Sequence, residues 1–192
     1  MNTSNIEIKE TSNGDIEICR ELCGELMQFQ ASQSKFGTKV LESMTFDNRL
    51  KPSFEKAQLK KLLVAFDGNK AIGYVYVEAA DLTEEVRYYV PDWAKTIYRN
   101  GHLVFFPPEQ KFPAKLGTFN NLYIKPQYHG IGLGDKLSQH VMDWLTGIDK
   151  IGGIYVYVSN GNEKVADFYK KYGFLYSHEV LGGFIKAYYK GV

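Results

Sequence analysis

The chain has 192 residues, 44% of them hydrophobic, a formal net charge of +1 and two cysteines. That length and apolar content suit one ordinary globular domain with core enough to fold unaided, and so small a charge gives no reason to expect nucleic acid or an anionic membrane as partner. No apolar run approaches the roughly 18 residues of a membrane span, and the N-terminus lacks the basic-then-apolar order of a signal peptide, so a cytoplasmic protein is expected.

Ile6 to Lys9 reads as a first strand, followed by Asn13-Gly14-Asp15 as turn and helix cap. Ile16, Cys19, Leu22, Cys23, Leu26 and Phe29 then recur at helical spacing, which predicts an amphipathic helix to about Gln33. Cys19 and Cys23 stand four apart on that face and are expected in the core as small hydrophobes. A disulfide framework does not fit them, and with no Cys or His cluster nearby no metal is expected. Residues 34–60 mix Gly37, Pro52 and charge with Phe36, Leu41, Met44, Phe46 and Phe54, and read as one or two short helices.

Leu62 to Phe66, a turn at Asp67-Gly68-Asn69-Lys70, and Ala71 to Glu78 form a hairpin rich in β-branched and aromatic residues. An aromatic-rich insertion follows at about 79–115, holding Tyr88, Tyr89, Trp93, Tyr98, Phe105, Phe106 and Phe112, with a short helix expected over Asp92 to Asn100. Long loops in compact domains are commonly lids or binding loops. An aromatic plug over a sheet edge or a dimer contact fits as well, which keeps a homodimer open.

Phe119 to Ile124 reads as a fourth strand, running past Pro126 into a loop with Gly130, Gly132 and Gly134 and then a helix carrying Leu133, Leu137, Val141 and Leu145 on one face. Such a junction is a phosphate site: residues without a β-carbon let the backbone come close, and the helix leaves its first N–H groups unpaired. A dinucleotide loop is excluded, because Asp135 would put a carboxylate near the pyrophosphate, and no nucleoside triphosphate loop is present. Ile154 to Val158 is a buried strand, Ser159 to Asn162 a turn, Glu163 to Tyr172 a helix ended by Gly173, and Leu175–Val180 with Phe184–Tyr189 a closing hairpin turned by Gly182-Gly183.

The glycine loop resembles the acyl-CoA loop of the GNAT superfamily of N-acetyltransferases, which reads Arg or Gln, x, x, Gly, x, Gly or Ala after a strand ending before a proline. Gln127 to Gly132 matches the letters, whereas His129-Gly130-Ile131-Gly132-Leu133-Gly134 keeps the usual distance from Pro126 and is preferred; with His129 at its head, the backbone is the cradle. The run from Asn162 to Phe174 resembles a second family segment, N-x-x-A-x-x-L-Y-x-K-x-G-F, with Val165 where alanine is usual.

The resemblance implies an α/β (α+β) fold, a mixed and mostly antiparallel sheet of six or seven strands with helices on both faces. It implies acetyl-CoA as acyl donor, without a metal, and an amine on a small molecule or a peptide as acceptor. The backbone of Leu122, Tyr123 and Ile124 would hold the pantetheine arm where the fourth strand bulges and parts from the next. Residues 34–60 would lie over the acceptor, where Phe36 and Phe46 line a pocket or, as aromatics more often do, belong to the core. Tyr169 stands at the position of the family's catalytic tyrosine, the acid for the leaving thiolate; by periodicity alone, with Val165, Phe168 and Tyr172, it is a packing residue. Asn162 has a double reading as helix cap or pantetheine contact. Many relatives carry a glutamate on the fourth strand where this chain has Thr118, so the base is left among Glu78, Glu84, Glu85 and a water chain. Direct transfer to the amine is expected, since no Cys, Ser or Lys stands in a nucleophile setting. A non-catalytic acyl-CoA sensor and a protein-interaction module are the rival readings.

Overall fold

The computed structural model describes residues 6–95, 97, 105–107, 109–111 and 114–192. Seven strands form one sheet: β1 (Ile6–Glu10), β2 (Leu59–Asp67), β3 (Lys70–Leu82), β4 (Ala114–Ile124), β5 (Ile151–Ser159), β6 (Leu175–Val180) and β7 (Ile185–Gly191). Their order is β1-β2-β3-β4-β5-β7-β6. Every neighbouring pair is antiparallel except β4 and β5, and this mixed α/β architecture is the one the resemblance implied.

The helices are α1 (Arg20–Gln33), α2 (Thr38–Ser43), α3 (Lys51–Lys56), α4 (Glu84–Tyr88), α5 (Leu133–Thr146) and α6 (Val165–Lys170). Asp15 starts the first of them as expected, its Oδ1 accepting from the Glu17 N–H at 2.8 Å ahead of a 3-10 turn that leads into α1. Residues 34–60 hold α2, a π turn at Phe46–Leu50 and α3. Phe46 is buried in the core, whereas Phe36 is 47% exposed.

Successive strand residues point to opposite faces, and here both faces are covered. Tyr74, Tyr76 and Tyr155 pack under α1, α2 and α3 on what we call the first face. Val75, Val77, Phe119 and Ile154 pack under α5 and α6 on the second. This double burial is why Ile72 to Val77 carries no polar alternation. Cys19 and Cys23 are buried, free thiols in the first core; burial pushes Cys19 up to about 12 and Cys23 in the same direction, so neither is a thiolate at neutral pH.

Several bounds differ from those expected. β3 continues to Leu82 and β4 begins at Ala114, so the connection between them is 83–113 rather than 79–115. Of the helix predicted over Asp92 to Asn100 there is a 3-10 turn at Asp92–Ala94; Tyr98, Asn100 and Phe112 lie outside the described residues. Trp93, Phe105 and Phe106 pack on the first core, and Tyr155 donates to Gln110 Oε1 at 2.9 Å. The helix expected from Glu163 to Tyr172 is shorter, because residues on either side of α6 are in turns. Among the described residues no helix is long and apolar enough to cross a membrane, and no group of His, Cys, Asp or Glu is arranged to hold a metal ion.

Candidate active site

The site begins with a register fault. Tyr76 pairs with Asn121 and Val77 with Phe119, so Asn120 has no partner on β3 and β4 bulges there. On its other side β4 pairs with β5 only from Lys115↔Ile151 to Phe119↔Val156. Beyond that point the strands part, leaving the β4 edge from Asn120 to Ile124 without a described strand beside it, its backbone N–H and C=O groups facing open space. The bulge and the parting are both features that the resemblance implied. Two amide atoms at the bulge, Asn120 Nδ2 and Asn121 Oδ1, are buried without a partner among the described residues.

The parting opens into a cleft of about 630 Å³. One wall is β4 from Phe119 to Ile124, with the Leu122, Tyr123 and Ile124 singled out in the sequence; the other is Val156 to Val158 of β5. At one end stands the start of α5. Its N-cap is Gly132, at φ +78°, and the helix has no side-chain cap. Gly130 also has φ +78°. Both are left-handed conformations that glycine alone adopts at no steric cost, and together they leave the N–H groups of the first turn pointing outward with the positive end of the helix behind them.

Gly130, Gly132, Leu133 and Gly134 all line the cleft. Ile131 does not; its side chain packs toward the second core. His129 lines the cleft too, but its N–H donates to Pro126 O at 3.1 Å and its Nε2 lies 2.8 Å from Ile124 O. It therefore ties the loop to the end of β4 rather than offering donors to a phosphate. Tyr128 does similar work, its hydroxyl donating to Asp67 at 2.8 Å. The Asp135 carboxylate is drawn sideways by the Tyr172 hydroxyl at 3.0 Å.

Asn162 and Tyr169 both line the cleft. α6 starts at Val165 after Lys164 with no side-chain cap, so the capping reading of Asn162 does not hold and its side chain stays with the cleft. Tyr169 is 6% exposed, and Phe119, Phe168 and Phe174 meet its ring edge-on at centroid distances of 5.4, 5.4 and 5.9 Å. Burial raises its pKa, with no hydrogen bond among the causes. The packing reading of Tyr169 thus holds for its ring, and its hydroxyl has no partner among the described residues.

Sequence reasoning missed Asn160, which is 2% exposed at the end of β5. Its Oδ1 accepts from the N–H groups of Lys35 and Phe36, at 2.7 and 3.2 Å, and from the Ser34 hydroxyl; its Nδ2 donates to Phe36 O and Phe184 O. One amide so pins the α1–α2 loop and the β6–β7 turn to β5. Next to it, a Cβ on Gly161 would lie 1.8 Å from Gln33 O. A lone Asn in a turn carries no sequence signal for such long-range bonds.

The acidic candidates separate cleanly. Glu84 and Glu85 are exposed on α4. Glu78 is half-buried on the first face, paired in register with Thr118, and its Oε2 accepts from Tyr76 Oη at 2.6 Å and Ser53 Oγ at 3.2 Å.

A model of the acetyltransferase (GNAT) family matches residues 27–174, most of the chain and both segments that build the cleft. The chain belongs to the GNAT family. Solved GNAT structures share the fold across nearly the full length. The PaiA N-acetyltransferase of Thermoplasma acidophilum, solved with coenzyme A, aligns at TM-score 0.64 and 18% identity, over 97% of this chain and 99% of that one. An acetyltransferase of Thermus thermophilus aligns at 0.58 and 17%, over 100% of both chains. Naa50 of Arabidopsis thaliana, in complex with the bisubstrate analogue CoA-Ac-MVNAL, aligns at 0.54 and 16%, over 98% and 99%. No curated protein matches the chain. As a GNAT protein, it is an acyltransferase by family, with acetyl transfer from acetyl-CoA as the general chemistry.

Proposed function

We propose that this GNAT chain, as one catalytic unit over residues 1–192, transfers acetyl from acetyl-CoA directly to the amine of a small molecule or peptide. The observation that carries the reading is the cleft between β4 and β5, with an uncapped helix start at one end and the unpartnered Tyr169 hydroxyl in its wall. First-turn N–H groups of α5, at Leu133 and Gly134, receive the diphosphate. The amides of the pantetheine arm pair with the free edge of β4 at Leu122, Tyr123 and Ile124 as an added strand does, and Asn162 meets them from the opposite wall.

The bulge turns a backbone N–H toward the thioester oxygen, where a preorganised donor stabilises the tetrahedral oxyanion; losing such a donor costs roughly 3 to 4 kcal/mol in other enzymes. Tyr169 gives its proton to the departing thiolate, whose ordinary pKa is near ~8.5. A buried phenol stays protonated until it is needed, which suits an acid rather than a base. The two cysteines are buried away from the cleft with raised pKa values, which favours direct attack by the amine over an acyl-enzyme.

Titration calorimetry with coenzyme A, followed by assay of CoA release from acetyl-CoA over a panel of small amines and peptide N-termini, tests the reading. Binding with acceptor-dependent release is expected. Binding with no release from any amine would leave an acyl-CoA sensor, and no binding at all would remove the proposal.

A further inference from the structure

The cleft passes through the sheet. The start of α5 belongs to the second face, whereas Leu26 and Tyr157, which also line the cleft, belong to the first. Granting the transferase reading above, a coenzyme seated at α5 delivers its acyl group toward the first face, and the amine has to meet it there.

An alkyl amine has a pKa near ~10.4, so at pH 7 fewer than about one molecule in a thousand is ready to attack. The first face close to the parting holds few groups able to take the proton. Glu25 Oε1 is tied to Lys125 Nζ at 2.9 Å, and its Oε2, without a partner among the described residues, is buried and so closed to an entering ammonium. The Tyr76 and Tyr155 phenols are pushed up by burial, and the Tyr155 hydroxyl is engaged with Gln110. His178 lies beyond Tyr155, its ring centroid 6.3 Å from that of the tyrosine.

Glu109, which acts on the Tyr155 phenol, is exposed in the connection before β4, and Glu78 remains. Its partner Thr118 sits one residue before Phe119, the last β4 residue to pair with β5, so the Glu78 backbone lies about one strand spacing, roughly 4.8 Å, from β4 where it opens. Its Oε2 is oriented by Tyr76 and Ser53, and Oε1 takes no hydrogen bond from a described residue. The nearest charges do not occupy it: Lys60, opposite on β2, donates to Phe54 O at 2.6 Å, and Arg49 lies over the Trp93 ring at 6.0 Å.

We propose that Glu78 is the general base of the reaction, accepting a proton from the acceptor ammonium on the first face, directly or through one water. The neutral amine then forms the N–C bond as the carbonyl electrons move to oxygen. Collapse of the adduct breaks the C–S bond, and the second proton lost by nitrogen balances the one that Tyr169 gives to sulfur. The proton on Glu78 leaves to water, so the net products are amide, CoASH and one proton.

The test is Glu78→Gln, which keeps the shape of the side chain and an oxygen for Tyr76. Its kcat is expected to fall by about 100-fold or more at pH 7, with CoA affinity unchanged by calorimetry. The loss should narrow as pH rises and the free amine supplies itself. Glu78→Ala should regain turnover with added formate, and His178→Gln should retain the wild-type profile. A Glu78→Gln enzyme within about threefold of wild type at every pH, or a His178→Gln enzyme showing the loss instead, overturns the assignment while leaving the transferase reading intact. A wild-type protein that binds no CoA removes both.

Discussion

Tyr169 carries a ring held by three aromatics and a hydroxyl that bonds no described residue, so the two halves of the side chain separate experimentally. Tyr169→Phe should leave the urea midpoint of unfolding almost unchanged, since removing an unpaired hydroxyl from a buried place is close to neutral. The same change should lower kcat by about 100-fold while CoA binding persists. Glu163 offers a pH prediction. Its own backbone N–H first, and Lys35 Nζ at 3.1 Å second, hold its carboxyl down to about 2. A folded value below the ordinary 4.5 means the carboxylate stabilises the fold fully above 4.5 and loses that contribution as pH falls toward 2. Glu163→Gln should therefore lower stability at neutral pH and flatten the acid limb of the profile between those values. Residue by residue, the sequence was legible wherever a role depends on local conformation, as at Gly130 and Gly132. It was silent where a partner far along the chain decides, as at Asn160, and misleading on the cap at Asn162, because α6 starts three residues later.

Among the elements, in the proposed reaction the α5 start would fix where the coenzyme lies and the β4 bulge which backbone group meets its acyl carbon. Loops would build the acceptor side, and Asn160 anchors those at residues 34–36 and 184. Asn160→Ala removes its hydrogen bonds to residues 34–36 and 184 and strands several buried backbone groups. A loss of roughly 2 to 4 kcal/mol follows at about 1 kcal/mol per bond plus desolvation, readable by urea unfolding. In steady-state assays the KM for the amine should rise more than the KM for acetyl-CoA if residues 34–60 lie over the acceptor, as the resemblance implies. Elements with strong periodicity, α1, α5 and the β2–β3 hairpin, were readable; the insertion was not, since its aromatics obey no period, and Phe105 and Phe106 take their places against Tyr157 and Tyr155.

Taken entire, the fold was legible through two short segments rather than through its pattern of strands. Periodicity supplies seven strands but no order for them, and the placing of β7 between β5 and β6 rests on pairings such as Tyr155↔Tyr189 and Tyr176↔Tyr188 that no local signal announces. The double burial of the sheet was visible in the unbroken apolar run Ile154 to Val158 of β5, whose residues divide between the two cores.

Among the described strands, the only parallel pair in the sheet is also where it opens. Five rungs, Lys115 to Phe119 against Ile151 to Val156, are all that join the β1–β4 leaf to the β5–β7–β6 leaf through strand pairing. A coenzyme bound there as proposed would act as a spine for this half-bound book, holding both leaves at once. Saturating CoA, at about 100 times its Kd, should add about 2.7 kcal/mol to the unfolding free energy. Deuterium exchange should slow most at the amides of residues 120–124, and protection spread evenly over the chain would contradict it.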